Sequence, residues 1–382
     1  HAHPPGFSLG MKLWQIFLAA VVSSLLFASV GVAQQKQNES YSSYSNDGVQ
    51  NYNSDYIEKD DASAKLAGWL DKVVALADKE QEVTGGSNLP EENAAPAEEA
   101  PAPPLPFHTI EGYGGGAITP MAYLVNPGKK GTIFGLPAAA FSNVVAGEKN
   151  LQAFTFTETL FGRVELGYAV DRFGTGTLGH DIQKATGVDA IDDDAVWLHN
   201  FNIRGLLLEE NSFGIPFLPA ITGGVHFKVN DGIGSVNRKL GGALSSIGYE
   251  SASGVDYTIT ASKTIVDKLT FNRPLIVSAG LRNSSASQLG FLGFGDDRSW
   301  TFEGNVAYLP TNWLLVAYEF RQKANPYEKI PGLVGDEDNW QAIDVSWIVN
   351  EHATVVGGWG MFGNLANTVE DGAWFLQFKY EF

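Results

Sequence analysis

Eleven stretches of this chain alternate apolar and polar residues with a period of two. They are Leu151–Thr159, Gly162–Asp171, His199–Leu208, Leu218–Lys228, Val255–Thr264, Leu275–Ser284, Trp300–Leu309, Trp313–Gln322, Trp340–Val349, Ala353–Phe362 and Gly372–Phe382. Such a period puts successive side chains on opposite faces of a β-strand. The last stretch shows it best: Trp374, Leu376, Phe378, Tyr380 and Phe382 share one parity, and Gln377, Lys379 and Glu381 share the other. Phe134–Ala146 is a weaker strand and Glu111–Leu124 a Gly-rich one. Each clear stretch has about ten residues, the length a tilted strand needs to cross a bilayer. An apolar face of this kind suits a soluble sandwich core or a lipid-facing barrel. The connections decide between them. Pro310-Thr311-Asn312 and Asn350-Glu351-His352 are tight, whereas Phe173–Leu198, Val229–Gly254, Ser285–Ser299 and Lys323–Asn339 are long. Sorting of short and long connections to opposite ends is a property of outer-membrane barrels. The expected fold is all-β: an antiparallel transmembrane β-barrel of about twelve strands. If Pro120 breaks the Gly-rich segment into two strands, the count becomes fourteen; otherwise that segment is an entry or plug piece.

Strand parity then sorts the polar residues. Arg163, Glu165, Asp171, Arg204, His226, Lys228, Arg282, Glu303, Glu319, Arg321, Asp344, Lys379 and Glu381 are expected to line the lumen, with Thr155, Thr157, Asp256, Thr258, Thr260 and Ser262 among them. Charge on the lipid face is costly near the midplane, which supports that assignment. Two arrangements remain open: a narrow water-filled pore, or a lumen filled by paired charges. Trp197, Trp300, Trp313, Trp340, Trp347 and Trp359 fall near strand ends and fit interfacial girdles or cross-strand packing.

The first hundred residues have a different texture. His1–Gly10 reads as an upstream segment. In 11–33, Lys12 precedes an apolar run, Leu13 to Ala28, and Gly31-Val32-Ala33 forms a small-x-small site; a signal peptide is expected. Residues 34–61 are rich in Ser, Tyr and Asn and lack a period, so disorder is expected. In 62–82 the period becomes helical: Leu66, Trp69, Leu70 and Val73 form an apolar stripe that offers self-association or an envelope partner. Residues 83–106, with six prolines among Ala and Glu, form a linker, and 107–382 form the barrel. The chain of 382 residues has no cysteine, so no disulfide supports it, and its net charge of −18 argues against nucleic acid as a partner.

Candidate chemistry is sparse. No two histidines have zinc-ligand spacing, there is neither H-E-x-x-H nor G-x-S-x-G, and Gly112-Tyr113-Gly114-Gly115-Gly116 lacks the Lys-Ser/Thr of a phosphate loop. No catalytic residue, metal site or cofactor is expected. Asp192-Asp193-Asp194, Asp296-Asp297 and Asp336-Glu337-Asp338 read as solvated charge of the long loops. The loop carrying Leu289, Phe291, Leu292 and Phe294 is too apolar for water and is expected to fold into the barrel mouth as a constriction.

Four phrases carry a resemblance: I-E-G-Y-G-G-G-A-I-T-P (Ile110–Pro120), F-G-R-V-E-L-G-Y-A (Phe161–Ala169), L-G-F-L-G-F-G-D-D-R (Leu289–Arg298) and the aromatic closing strand. Over about 107–382 the chain resembles a family of Gram-negative envelope proteins known as a domain of unknown function. The resemblance implies an outer-membrane barrel and leaves the segments before 107 outside it; with the final strand ending in the periplasm, the N-terminal segment is expected there as well. The barrel's closing strand (Trp374, Phe378, Tyr380 and Phe382) resembles the signal read by the barrel-assembly machinery, and its partners would be that machinery and outer-membrane lipid. The resemblance supplies no catalytic residue. Three functions follow in order: porin-like passive passage of small solutes, a structural or anchoring barrel with a filled lumen that assembles through its N-terminal helix, and a lipid hydrolase using His226.

Overall fold

The structure, a computed structural model, describes residues 107–128, 131–370 and 372–382. The expected signal peptide, disordered segment, amphipathic helix (Leu66, Trp69, Leu70, Val73) and linker lie outside the described residues.

Twelve antiparallel strands form the wall: β1 (Ala138–Ala146), β2 (Lys149–Leu160), β3 (Val164–Gly174), β4 (Ala195–Leu208), β5 (Ala220–Asp231), β6 (Ser253–Ile265), β7 (Leu275–Ala286), β8 (Phe294–Tyr308), β9 (Leu314–Arg321), β10 (Trp340–Ile348), β11 (Ala353–Met361) and β12 (Ala373–Glu381). Each pairs with its sequence neighbours, and β12 closes the circle on β1, with Phe378 opposite Phe141. A further short strand, Tyr249–Ser251, pairs with the start of β8. Closure satisfies every edge, which is what allows strands to stand in hydrocarbon. The count is thus twelve, and Glu111–Leu124 is no wall strand. Pro137 marks where the wall begins, and its carbonyl accepts the N–H of Phe382 at 2.9 Å.

The alternation read from sequence is the alternation of faces. On β12, Trp374, Leu376, Phe378 and Tyr380 stand outward and exposed, as does Phe382 just after it, while Gln377, Lys379 and Glu381 are buried. Phe154, Phe201, Ile259, Phe302, Val316 and Ile343 continue the outward apolar belt round the barrel. Trp197, Trp300, Trp313 and Trp347 also face out. Trp340 does not; it turns inward against Phe362, with ring centroids 4.8 Å apart. Among the described residues no helix is long and apolar enough to cross a membrane.

Connections 161–163, 309–313 and 349–352 are short and lie at one end, with 209–219 and 266–274 somewhat longer. The other end carries 175–194, with helix α1 (Leu178–Thr186), and 232–252, with helix α2 (Ile233–Lys239). The two-residue turn 147–148 and connections 287–293, 322–339 and 362–372 complete it. Gly187 ends α1 in the left-handed region, where a residue without Cβ is unstrained. Leu178, Ile182, Ile233 and Val236 are buried, so the long loops share an apolar core.

Candidate functional site: a plugged lumen

Residues 107–125 run inside the barrel, and every one of them is buried. The segment bends at Gly112, whose φ is +85°, and forms a two-residue ribbon, Phe107–His108 against Gly114–Gly115. Glycine is needed where this backbone meets the wall. A Cβ on Gly167 of β3 would stand 2.1 Å from the carbonyl oxygen of Gly112.

A segment with so little secondary structure leaves many backbone groups unpaired, and burying them unpaired would be costly. The inward polar side chains of the wall supply the partners. Glu319 accepts the N–H groups of Ala117 (2.6 Å) and Thr119 (2.8 Å) and also that of Ile118. Glu165 accepts those of Gly114 (3.1 Å) and Val125 (2.8 Å). Arg204 donates to the carbonyls of Gly114 and Met121 and pairs with Glu165 at 3.0 Å. Asn202 donates to Glu111 O and Gly112 O, Gln377 to His108 O, and Asn305 to Thr119 Oγ1. Ser262 and Thr222 hold the two backbone groups of Ala122.

At the centre is an ionic cluster. Lys228, Arg282 and Arg321 of the wall face Asp256 and Glu303. That set alone carries one positive charge in excess. Glu111 of the internal segment removes the excess: it pairs with Lys228 and Arg321 and lies 3.5 Å from Arg282. Tyr113 donates to Glu111 at 2.7 Å and accepts from Arg282 at 2.6 Å. The segment is the matched counter-ion of the wall.

Of the sequence-derived lumen residues, Glu165, Asp171, Arg204, His226, Lys228, Arg282, Glu303, Glu319, Arg321, Asp344, Lys379 and Glu381 are all buried. Asp171 accepts from Asn200 at 2.8 Å, Asp344 lies beside Glu319, and Lys379 pairs with Glu381. Arg163 is a correction. β3 begins at Val164, so Arg163 sits in connection 161–163, partly exposed, and pairs with Glu209. Glu111 was not among the expected site residues, although it is the centre of the cluster. Its segment has no period that parity could read.

Leu289, Phe291, Leu292 and Phe294 are buried. Lys228 donates to Leu289 O at 3.1 Å, Asn230 donates to Gly290 O and Phe291 O, and Phe291 stacks on Phe173 at 5.0 Å. Phe294 opens β8, so Asp296 and Asp297 lie on a strand rather than in a loop. In connection 322–339, burial pulls the Lys323 ammonium below its usual range while Glu337, at 2.9 Å, opposes that shift.

His226 stands between Asn202 (2.8 Å) and Thr258 (2.9 Å), with its ring against Tyr113, and His108 stands between Thr155 and Thr157. Neither ring meets a serine in these contacts. Among the described residues no group of three or more His, Cys, Asp or Glu side chains is placed to hold a metal ion.

The family profile described as "Protein of unknown function (DUF3034)" matches residues 106–379. The chain belongs to that family. The match begins where the internal segment begins, so segment and wall form one family unit. No curated protein matches the chain. Among solved structures the chain is similar to the NanC porin, at 7% identity over 64% of this chain and 100% of that one, with a TM-score of 0.41. It is also similar to Omp33 of Acinetobacter baumannii, at 9% identity over 65% and 99%, with a TM-score of 0.33. A third is the outer membrane phospholipase of Salmonella typhi, at 7% over 67% and 95%, with a TM-score of 0.31. All three likenesses are distant.

Proposed function

We infer that this protein is an outer-membrane barrel kept closed by its own segment 107–125, a structural or ligand-holding envelope protein rather than an open pore. The observation that carries this reading is the charge balance at Glu111. The three wall cations around Glu111 are ion-paired with two wall carboxylates, and the segment supplies the third. Groups that would line a water-filled channel are spent on that segment's backbone. Steady porin-like passage of small solutes would require 107–125 to leave, stripping partners from Glu165, Arg204 and Glu319 together. The apolar outward belt supports placement in the outer membrane, and the end with short connections would face the periplasm. We propose in addition that the N-terminal segment is periplasmic and that the helix expected over 62–82 assembles through Leu66, Trp69, Leu70 and Val73. The hydrolase reading rests on His226, whose ring nitrogens face Asn202 and the Thr258 hydroxyl; all three side chains are buried, and Asn202 is engaged by the backbone of Glu111 and Gly112 in the internal segment.

Planar-bilayer recording tests the reading. Wild-type protein is expected to insert without steady ion current, and Glu111→Gln to conduct. Steady current from the wild type, equal to that of the variant, would overturn it.

A further inference from the structure

One cavity has no part in closing the barrel. It lies between the internal segment and connection 287–293, with a void of about 50 Å³. Its wall follows β1 from Ser142 through Val144 to Ala146, a rise of about 13 Å along the strand. Leu289 and Phe291 line it from the loop, and Ile110 and Ile118 from the internal segment.

The buried polar side chains on this wall already have partners. Gln377 Nε2 donates to His108 O and to Ser142 Oγ, both at 2.8 Å. Gln288 Nε2 donates to Asn364 O, and Lys149 Nζ donates to Thr368 Oγ1. Trp340 Nε1–H is the buried exception. A buried water needs two to four polar partners, so a single donor does not hold one, and an apolar void of this kind stays dry and accepts apolar guests. A small volume spread along a strand suits a slender guest better than a compact ring.

We propose that the slot between β1, connection 287–293 and segment 107–125 takes up the end of an unbranched alkyl or acyl chain. This rests on the closed-barrel reading, because Ile110 and Ile118 form part of the wall only while 107–125 is inside. It adds a ligand class to a barrel otherwise described only as closed. Recognition is by burial of methylene groups, so a neutral chain binds without a charged head.

The test uses the full chain in lipid nanodiscs titrated with 1-bromododecane, whose bromine quenches nearby tryptophan; Trp340 lines the slot. The wild type is expected to show a saturable quenching component above the linear background from lipid-facing tryptophans. Val144→Phe, which fills the slot, is expected to weaken that component about tenfold or more, the equivalent of losing about two buried methylenes. Linear quenching alone in the wild type, the same as in Val144→Phe, would overturn the proposal. Should Val144→Phe fail to fold, wild-type crystals soaked in 1-bromododecane decide: bromine in the slot supports it, and bromine only on the outward belt overturns it. A wild-type ion current would count against the closed barrel and leave the bromine result to be read separately.

Discussion

Glu111 is the residue on which the interior turns. It is a buried carboxylate reached by three cations that arrive from β5, β7 and β9. Removing one partner of a buried ionic set leaves an uncompensated charge, at a cost of about 3–5 kcal/mol. Glu111→Gln is expected to lower the unfolding free energy by that order. Glu111→Gln with Arg321→Gln restores neutrality and should recover part of the loss, so a double-mutant cycle would show coupling between the two. If the two losses simply add, the shared charge balance is not what matters. Arg163 is the contrast: its pair with Glu209 is solvent-exposed, and Arg163→Ala should change stability by no more than about 0.5 kcal/mol. The two residues mark what sequence can tell at this scale. Parity pointed the buried charges of the strands inward because alternation fixes a side chain's face once a residue is inside a strand. Arg163 escaped the rule by one position, since β3 starts at Val164. Glu111 stood in a glycine-rich stretch without a period, and its role comes from groups more than a hundred residues away in sequence.

At the level of elements, strands and internal segment depend on each other through close backbone approach. Gly167 on β3 is where the wall touches the carbonyl of Gly112. Gly167→Ala adds one methyl group on the inner face and is expected to unseat the segment while leaving the wall paired, so it should conduct in a bilayer as Glu111→Gln does. A silent Gly167→Ala would show that the segment tolerates displacement at this contact. The outer face makes its own prediction. Ile343 is exposed on β10, and Ile343→Arg should cost about 2–4 kcal/mol if that face meets hydrocarbon near the midplane. An unchanged refolding free energy into lipid vesicles would argue that Ile343 faces water. Strand positions and the sorting of connections were readable because a lipid-facing strand must repeat its pattern and a barrel must alternate its turns. Strand ends were less readable: β8 begins at Phe294 rather than near Trp300, because a strand can continue above the bilayer where no apolar face is required. Trp340 takes the second of the two readings open to an aromatic residue near a strand end: it packs inward on Phe362 rather than joining the outward tryptophans.

For the whole molecule, the wall and its internal segment interlock through hydrogen bonds and ion pairs. The family match spans both together. The wall's inward polar groups are arranged for a segment that supplies N–H groups to Glu165 and Glu319, carbonyls to Arg204 and Asn202, and one negative charge to the central cluster. A lumen built for free solute would instead leave such groups to water. The chain contains no cysteine, so introduced thiols report without background. The N–H of Ala122 and Oγ of Ser262 are 2.8 Å apart, across the boundary between segment and wall. The most direct measurement is therefore cross-linking of an Ala122→Cys, Ser262→Cys protein in isolated outer membranes with a short bifunctional thiol reagent. The closed barrel predicts that most molecules become linked and that neither thiol reacts with a bulky water-soluble maleimide. Failure to link, with both thiols open to the maleimide, would place 107–125 outside the lumen and contradict the account.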